Sequence, residues 1–459
     1  MAATDSIPVL WSAALFNRSG YSEEARENVL GLANAGIPVL ADPLHLVGWQ
    51  KPLAPGDADR LESLVMLEEP ERFVHVMHYG AAHYERRPGA VRRIGRTMWE
   101  TDRLPPNWVV RCNELDDVWV PSAFNVATFA HAGVASERLH VVPEGVRRDV
   151  YGPDLAPFDL PDVTGFVFLS VFSWSRRKGW DVLLRAYLDE FSPDDDVTLL
   201  LLVTPFSKPV AEHLQELEAF IRIQLGRDPA RSAPILILDV EPGTMGMPRL
   251  YRAAHAYVQP SRAEGWGRPL MEAMACGRPT IGTRWSGNLH FMNDDNSYLV
   301  DCDLVPVSED AWREWPWFRG QRWAEPSTAH LRTLLRRVVE RPDEARAKGE
   351  RARETIFGRF TSEHVAAAVV ERLEALGIDG PTVPRPPPRP EGARAWTELA
   401  ERLLADERPR DAAGCARRAL SLAPADPDAY ALLASAFAAL ELTTLAVRAR
   451  DLAAVHVAR

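Results

Sequence analysis

Short apolar runs alternate with amphipathic stretches over most of this chain. Val9-Leu10-Trp11, Pro38 to Ala41, Phe73 to Met77, Ile94 to Trp99, Val118-Trp119-Val120 and Leu139 to Val142 have the length and residue types of strands. Arg18-Ser19-Gly20-Tyr21 reads as a turn, after which Ser22 with Glu24-Ala25 opens a helix running to about Ala35. The scheme then repeats. Phe166 to Phe172, Val197 to Val203, Ile235 to Val240, Ala256-Tyr257-Val258 and Thr280-Ile281-Gly282 are strand candidates, and Trp180 to Phe191 is an amphipathic helix. Strand–helix alternation on this scale implies α/β architecture: two Rossmann-like doubly wound domains facing across a cleft, with ligands at the carboxyl ends of the strands. The expected division is 1–150, 151–345, helices over 346–378 closing the body, a proline-rich linker at 379–393, and a small all-α domain at 394–459.

That last segment contains an internal repeat. Trp396, Leu399, Ala400, Ala412 and Ala419 recur 34 residues later as Tyr430, Leu433, Ala434, Ala446 and Ala453. The spacing resembles tetratricopeptide repeats, and two repeats are too few to stand alone. They are expected to pack on the main body, on a second copy or on a protein partner, or to serve as a capping bundle.

One segment carries most of the chemistry. Glu264-Gly265-Trp266-Gly267-Arg268-Pro269-Leu270-Met271-Glu272 places two carboxylates around a glycine-rich bend and the start of a short helix ending near Gly277. Backbone N–H groups at 265–267 and the positive helix end suit a phosphate. The carboxylates suit diols. A ligand with a diphosphate centre and hydroxyl-rich ends, a nucleotide-sugar, meets both demands. A buried helix with glutamates at its polar start is the structural alternative. Ser173-Trp174-Ser175-Arg176-Arg177-Lys178-Gly179 offers a second phosphate position. Three cations before a helix start oppose its dipole and ask for an anionic counterpart, and Lys178 is one of only four lysines.

These residues resemble GT-B fold glycosyltransferases of family 4, retaining enzymes that use nucleotide-activated sugars; the likeness covers about residues 7 to 375. The resemblance implies that Glu264 contacts the transferred sugar, Glu272 the ribose, and Lys178 with the amides of Gly265, Trp266, Gly267 and Arg268 the diphosphate. It implies that Gly20 and Tyr21 line the acceptor side. Family members usually carry an arginine at the place of Ser173, a role that falls here to Arg176 or Arg177. A histidine usual in the first domain is replaced within Thr97 to Asp102, with Glu100 or Asp102 in its place. The catalytic set is therefore Glu264, Lys178 and Glu100. No metal or other cofactor is expected, the nucleotide-sugar being a substrate. The acceptor hydroxyl is unspecified, with anionic or lipid-linked acceptors among the alternatives. The rival is a catalytically silent nucleotide-sugar-binding scaffold that recruits a partner through its helical tail; a GT-B epimerase or phosphorylase fits the glutamate spacing less well.

Other features change the picture little. A net charge of −11 argues against general nucleic-acid binding. Four separated cysteines suggest reduced thiols and no zinc site, and with no leader or long apolar run the expected location is cytoplasmic, peripheral membrane contact being compatible. His75, His78 and His83 invite a metal reading without a fourth ligand, and Asp301-Cys302-Asp303 mimics a metal-binding pair but reads as a polar loop. Arg86, Arg87, Arg92, Arg93 and Arg96 read as a solvated face or, alternatively, a surface for an anionic acceptor. The tryptophans at 312, 315, 317 and 323 crowd a loop-like stretch, read as a structural cluster covering the second domain, with sugar stacking as the minor alternative.

Overall fold

The computed structural model describes residues 7–44, 53–65, 69–152, 155–160, 163–204, 209–240, 242–378, 392–440 and 442–457. The linker expected at 379–393 falls almost wholly outside the described residues. The strands are β1 (Val9–Ala13), β2 (Val39–Pro43), β3 (Phe73–His78), β4 (Ala90–Arg96), β5 (Asp117–Val120), β6 (Leu139–Val141), β7 (Phe166–Ser173), β8 (Val197–Thr204), β9 (Ile235–Leu238), β10 (Ala256–Gln259), β11 (Thr280–Thr283), β12 (Tyr298–Val300), β13 (Cys302–Pro306) and β14 (Arg322–Pro326). They form two six-stranded sheets, ordered β2-β1-β3-β4-β5-β6 and β12-β11-β10-β7-β8-β9, and the antiparallel hairpin β13–β14. Pairings of β1 with β2 and β3, and of β7 with β8 and β10, are parallel. Helices between the strands make each sheet doubly wound, as the alternation of patterns implied.

By internal contacts the chain forms two compact units. One comprises residues 1–79, 85–94 and 370–459; the other comprises 80–84 and 95–369. In the second unit both faces of the β7-containing sheet are covered. Phe168, Leu199, Leu201, Val258 and Ile281 pack toward the helix Trp180–Glu190 and the helix Thr328–Glu340. Leu169, Leu200, Tyr257, Leu270 and Met274 pack on the opposite face. This two-sided burial explains why these strands are almost continuously apolar.

In the first unit the tail forms four helices, Ala393–Ala405, Pro409–Leu422, Pro427–Ala439 and Thr443–Val457. Small residues (Ala400, Ala412, Ala416, Ala434) let them approach closely around Trp396, Leu433 and Phe437. The tail packs on its own unit: Gly414 faces Val65, and the Arg417 guanidinium lies 3.9 Å from the Phe16 ring centroid.

Several local expectations are corrected. The first helix begins at Gly20, capped by Ser19, so Gly20 and Tyr21 are its first residues and not part of a turn. The tryptophan-rich stretch is ordered as the helix Glu309–Glu314, a single turn at Pro316–Phe318 and strand β14. Trp323 is buried, whereas Trp315 and Trp317 are more than half exposed, so only part of that cluster covers anything. Asp301-Cys302-Asp303 leads into β13, and Asp301 is taken by Arg284 and His330. The arginines of 86–96 are no uniform solvated face. Arg87 pairs with Asp42 and Glu69, and Arg96 is fully buried and donates to the Val142 carbonyl, because the end of β4, from Ile94 to Arg96, is covered on both faces.

Candidate functional site

Two loops at the carboxyl ends of neighbouring strands build the site, both within the second unit. The first follows β7. After Ser173 the chain makes a single 3-10 turn, Arg176–Lys178, and Gly179 opens the helix Trp180–Glu190 in the left-handed region at φ 68°. A Cβ at Gly179 would sit 2.0 Å from the Pro260 carbonyl oxygen, so only glycine allows this approach. The second loop follows β10 and runs from Pro260 to Gly267, where the helix Arg268–Ala275 begins. Gly267 is left-handed at φ 97°, Pro269 is the second helical residue, and Gly277 follows the end at φ 69°.

Arg262 ties the two loops together. Its backbone N–H donates to the Arg177 carbonyl at 2.7 Å and its Nη1 to the Arg176 carbonyl at 2.7 Å. The same guanidinium grips Asp181 through both nitrogens, at 2.7 and 3.0 Å, and Glu325 at 2.7 Å. Neither Arg262 nor Asp181 was among the residues singled out by sequence; nothing in their spacing marks a side chain that bridges three segments.

The brace brings Lys178, Arg177, Glu264 and Glu100 together. Lys178 Nζ lies 2.6 Å from Glu264 Oε1, Arg177 Nη1 3.3 Å from Glu264 Oε2, and Arg177 Nη2 3.7 Å from Glu100 Oε1. Ser261 Oγ (2.6 Å) and Gln259 Nε2 (3.0 Å) also donate to Glu264 Oε1. Glu264 is almost wholly buried, while the Lys178, Arg177 and Glu100 side chains keep 11%, 18% and 22% of their surface exposed, so the cations remain reachable. Burial works to raise the Glu264 pKa, but Lys178 and then Arg177 outweigh it and hold the carboxyl below its ordinary value. Burial and the adjacent Arg177 push the Lys178 ammonium below its usual value, against the pull of Glu264. Burial also disfavours the Arg177 cation, yet Glu100 and Glu264 leave its pKa raised.

The remaining expected residues fall elsewhere. The Arg176 side chain turns away: it pairs with Asp181 at 3.0 Å, lies over the Trp180 ring, and borders a cavity of about 550 Å³ lined also by Trp174, His213, Phe220 and Glu314. Ser173 ends β7 beside Thr204. The Trp266 ring is core, packed on Phe291 and Phe360, so only its backbone is available to a ligand. Glu272 is buried, paired with Arg268 Nε at 3.0 Å and accepting from Tyr251 Oη at 2.9 Å, while Arg268 Nη1 also reaches the Gly145 carbonyl at 3.2 Å. Gly265 is crowded by Met98, and its carbonyl accepts from Asn125 Nδ2 at 3.0 Å. Gly20 and Tyr21 belong to the other unit, where the Tyr21 ring packs on His78.

Sequence reading also passed over Ser286. It holds φ 81° and ψ −153°, a conformation ordinarily left to glycine, and its Oγ accepts the Glu264 N–H at 3.0 Å. The next residue, Gly287, sits so close to Gly265 that a Cβ there would meet its carbonyl oxygen.

Two of the three histidines of the 75–83 cluster have partners in the first unit. His75 lies 2.9 Å from Ser12 Oγ, and His78 accepts from Trp11 and faces Glu24 at 3.2 Å. Among the described residues no three His, Cys, Asp or Glu side chains gather as a metal site, and no helix is long and apolar enough to cross a membrane.

Two doubly wound sheets with ligand-directed loops after β7 and β10 define the GT-B class of architecture, and solved structures share it. The UDP-glucose complex of Anabaena HepE superposes with a TM-score of 0.56 at 17% identity, covering 80% of this chain and 100% of that one. Sucrose-phosphate synthase from Thermosynechococcus elongatus gives 0.56 at 17% identity, covering 81% and 99%. Within this fold, residues 164–309 match the family model described as "Glycosyl transferases group 1", a stretch containing Lys178, Glu264 and Glu272. Among curated proteins, D-inositol 3-phosphate glycosyltransferase 1 of Catenulispora acidiphila is 31% identical over 163 residues, 34% of this chain and 37% of its own length. The Xylanimonas cellulosilytica D-inositol 3-phosphate glycosyltransferase is 32% identical over 181 residues, 37% and 40%. The chain thus spans about two fifths of the length of these relatives.

Proposed function

We propose that this chain is a family 4 glycosyltransferase that moves a sugar from a nucleoside-diphosphate sugar to an acceptor hydroxyl, with retention of anomeric configuration and without a metal ion. The observation that carries the reading is the joining of Lys178, Arg177, Glu264 and Glu100 at the carboxyl ends of β7 and β10. Glu264 neutralises two largely buried cations. A diphosphate offers those cations a stronger partner and frees Glu264 to accept from sugar hydroxyls.

Departure of the nucleoside diphosphate builds charge on the β-phosphate oxygens. Lys178, Arg177 and the amides opening the helix Arg268–Ala275 meet that charge from fixed positions, which lowers the barrier without reorganisation. Arg177 takes the part of the arginine that the family carries at the place of Ser173; the pairing of Arg176 with Asp181 leaves Arg176 outside it. Glu272, anchored by Arg268 and Tyr251, receives the ribose hydroxyls, and Glu100 stands beside the transferred sugar. Gly20 and Tyr21 serve the acceptor side. The names of the relatives point to a phosphorylated polyol as the acceptor to try first.

The test uses the purified chain with UDP- and GDP-sugars, myo-inositol and myo-inositol 3-phosphate as acceptors, and a chelator in every arm. Transfer that survives the chelator, with the anomeric configuration of the donor kept in the product by NMR, supports the reading. Binding of a nucleotide-sugar with neither transfer nor hydrolysis across the panel favours the silent scaffold instead.

A further inference from the structure

The helical tail brings a cation to the carboxyl edge of the first unit's sheet. Arg417, on the helix Pro409–Leu422, lays its guanidinium over Phe16, three residues beyond the end of β1. Among the described residues it makes no ion pair and no hydrogen bond. A cation–π contact contributes on the order of 1 kcal/mol, and among the described residues no protein acceptor meets the guanidinium's N–H donors. Burial has brought the Arg417 pKa down to about 10, and Glu62 is the carboxylate that opposes this. A partly exposed guanidinium with no carboxylate in salt-bridge contact among the described residues is open to an anionic ligand.

The platform beneath it is rigid. Arg26 Nη1 donates to the Leu15 carbonyl at 2.7 Å and to the Asn17 carbonyl at 3.0 Å, fixing the segment on both sides of Phe16. The acidic residues of the adjoining helix start are engaged elsewhere, Glu23 with Arg26 and Glu24 with His78. Helix Gly20–Asn34 opens just beyond, with its positive end toward the same edge. Carboxyl edges of parallel strands are where ligands settle in such sheets.

We propose that the helix Pro409–Leu422 is a wall of the acceptor site, and that Arg417 binds a phosphate ester carried by the acceptor. This rests on the glycosyltransferase reading for the word acceptor, but the binding itself does not. The tail is then a specificity element of the chain's own substrate site, in addition to any partner it holds.

The test is titration calorimetry on the full chain carrying Lys178→Ala, which weakens phosphate binding at the donor loops. Probes are inorganic phosphate, myo-inositol 3-phosphate and myo-inositol. The two phosphates are expected to bind and unphosphorylated inositol not to bind. Arg417→Gln should weaken phosphate binding at least tenfold, with Arg417→Lys between the two. Glu62→Gln, which removes the opposing carboxylate, should tighten binding severalfold and keeps the idea testable if Arg417→Gln disturbs the tail. Equal affinities in the parent, Arg417→Gln and Glu62→Gln proteins, or no phosphate binding at all, would overturn the proposal. Absence of sugar transfer in the separate assay, with this binding intact, would overturn the activity instead.

Discussion

Two clusters of polar side chains, one in each unit, use similar residue types for different ends. In the first unit Ser12, Asp42 and His75 stand on the neighbouring strands β1, β2 and β3. Ser12 Oγ donates to Asp42 at 2.6 Å and lies 2.9 Å from His75 Nε2, while Arg87 donates to Asp42 at 2.6 Å. Serine, histidine and aspartate are the side chains of a hydrolytic triad, but all three are at most 2% exposed, within the strands, where no substrate reaches them. In the second unit Lys178, Arg177, Glu264 and Glu100 stand beyond strand ends, on loops, with their cations partly open to solvent. Loops beyond strand ends can receive a ligand, and buried positions within the strands cannot. Position along the strand therefore separates the proposed donor cluster from the structural one better than residue type does.

The largest effect that sharpens this contrast is Lys178→Ala. Removing a preorganised donor from developing charge costs about 10² to 10³ in turnover, or roughly 3 to 4 kcal/mol. Transfer measured with the purified variant should fall by that factor with near-UV circular dichroism unchanged. Normal turnover would make the loop after β7 merely a capped charge run.

Asp42→Ala should act in the opposite way. It removes the acceptor that Ser12 and Arg87 share, leaving Ser12 with His75 alone, a loss of about 3 kcal/mol, read from urea unfolding midpoints. Arg87 keeps Glu69, which limits the loss. Turnover per folded molecule should stay within about twofold of the parent. A large drop in turnover without a drop in stability would place chemistry in the first cluster.

Glu264→Gln tests the coupling of charges in the second cluster through pH. The Glu264 pKa is lowered in the folded protein, burial being outweighed by Lys178 and Arg177. Its contribution is therefore fully present above the unfolded value, about 4.3 for a glutamate, and is lost as pH falls through the lower folded value. The stability gap between parent and variant should be about 3 kcal/mol near neutrality and close progressively as pH falls below the unfolded value. A gap independent of pH would mean that the carboxylate charge is not what holds Lys178.

Legibility in the sequence followed how local each determinant is. The two sheets were readable because apolar runs such as Val197 to Val203 announce strands buried on both faces. The loops were readable too, because Lys178-Gly179 and the Glu264–Glu272 spacing are each contained in one short stretch of chain. Choosing between Arg176 and Arg177 was out of reach: adjacent residues in one 3-10 turn point to different sides, and Asp181 and Trp180 decide which goes where. Arg262 was silent because its partners Asp181 and Glu325 come together only in the folded chain. The docking of the tail was equally hidden, since Arg417 and Phe16 are four hundred residues apart.

Ser286 gives the smallest expected effect and the finest test. Serine holds φ 81° and ψ −153° at a cost of roughly 1 to 3 kcal/mol, and gains the hydrogen bond from the Glu264 N–H, about 1 kcal/mol. Ser286→Gly relieves the strain but loses that bond and adds freedom to the unfolded chain, about 0.5 to 1 kcal/mol. These terms nearly cancel, so its unfolding free energy should stay within about 1 kcal/mol of the parent. Ser286→Ala keeps the strain and loses the bond, so it should be the less stable of the two by about 1 kcal/mol. If the strained serine exists to aim Glu264, both variants should weaken donor binding alike despite their different stabilities. Donor affinity that tracks stability, with Gly near the parent and Ala below it, would instead make Ser286 a structural pin with no share in the site.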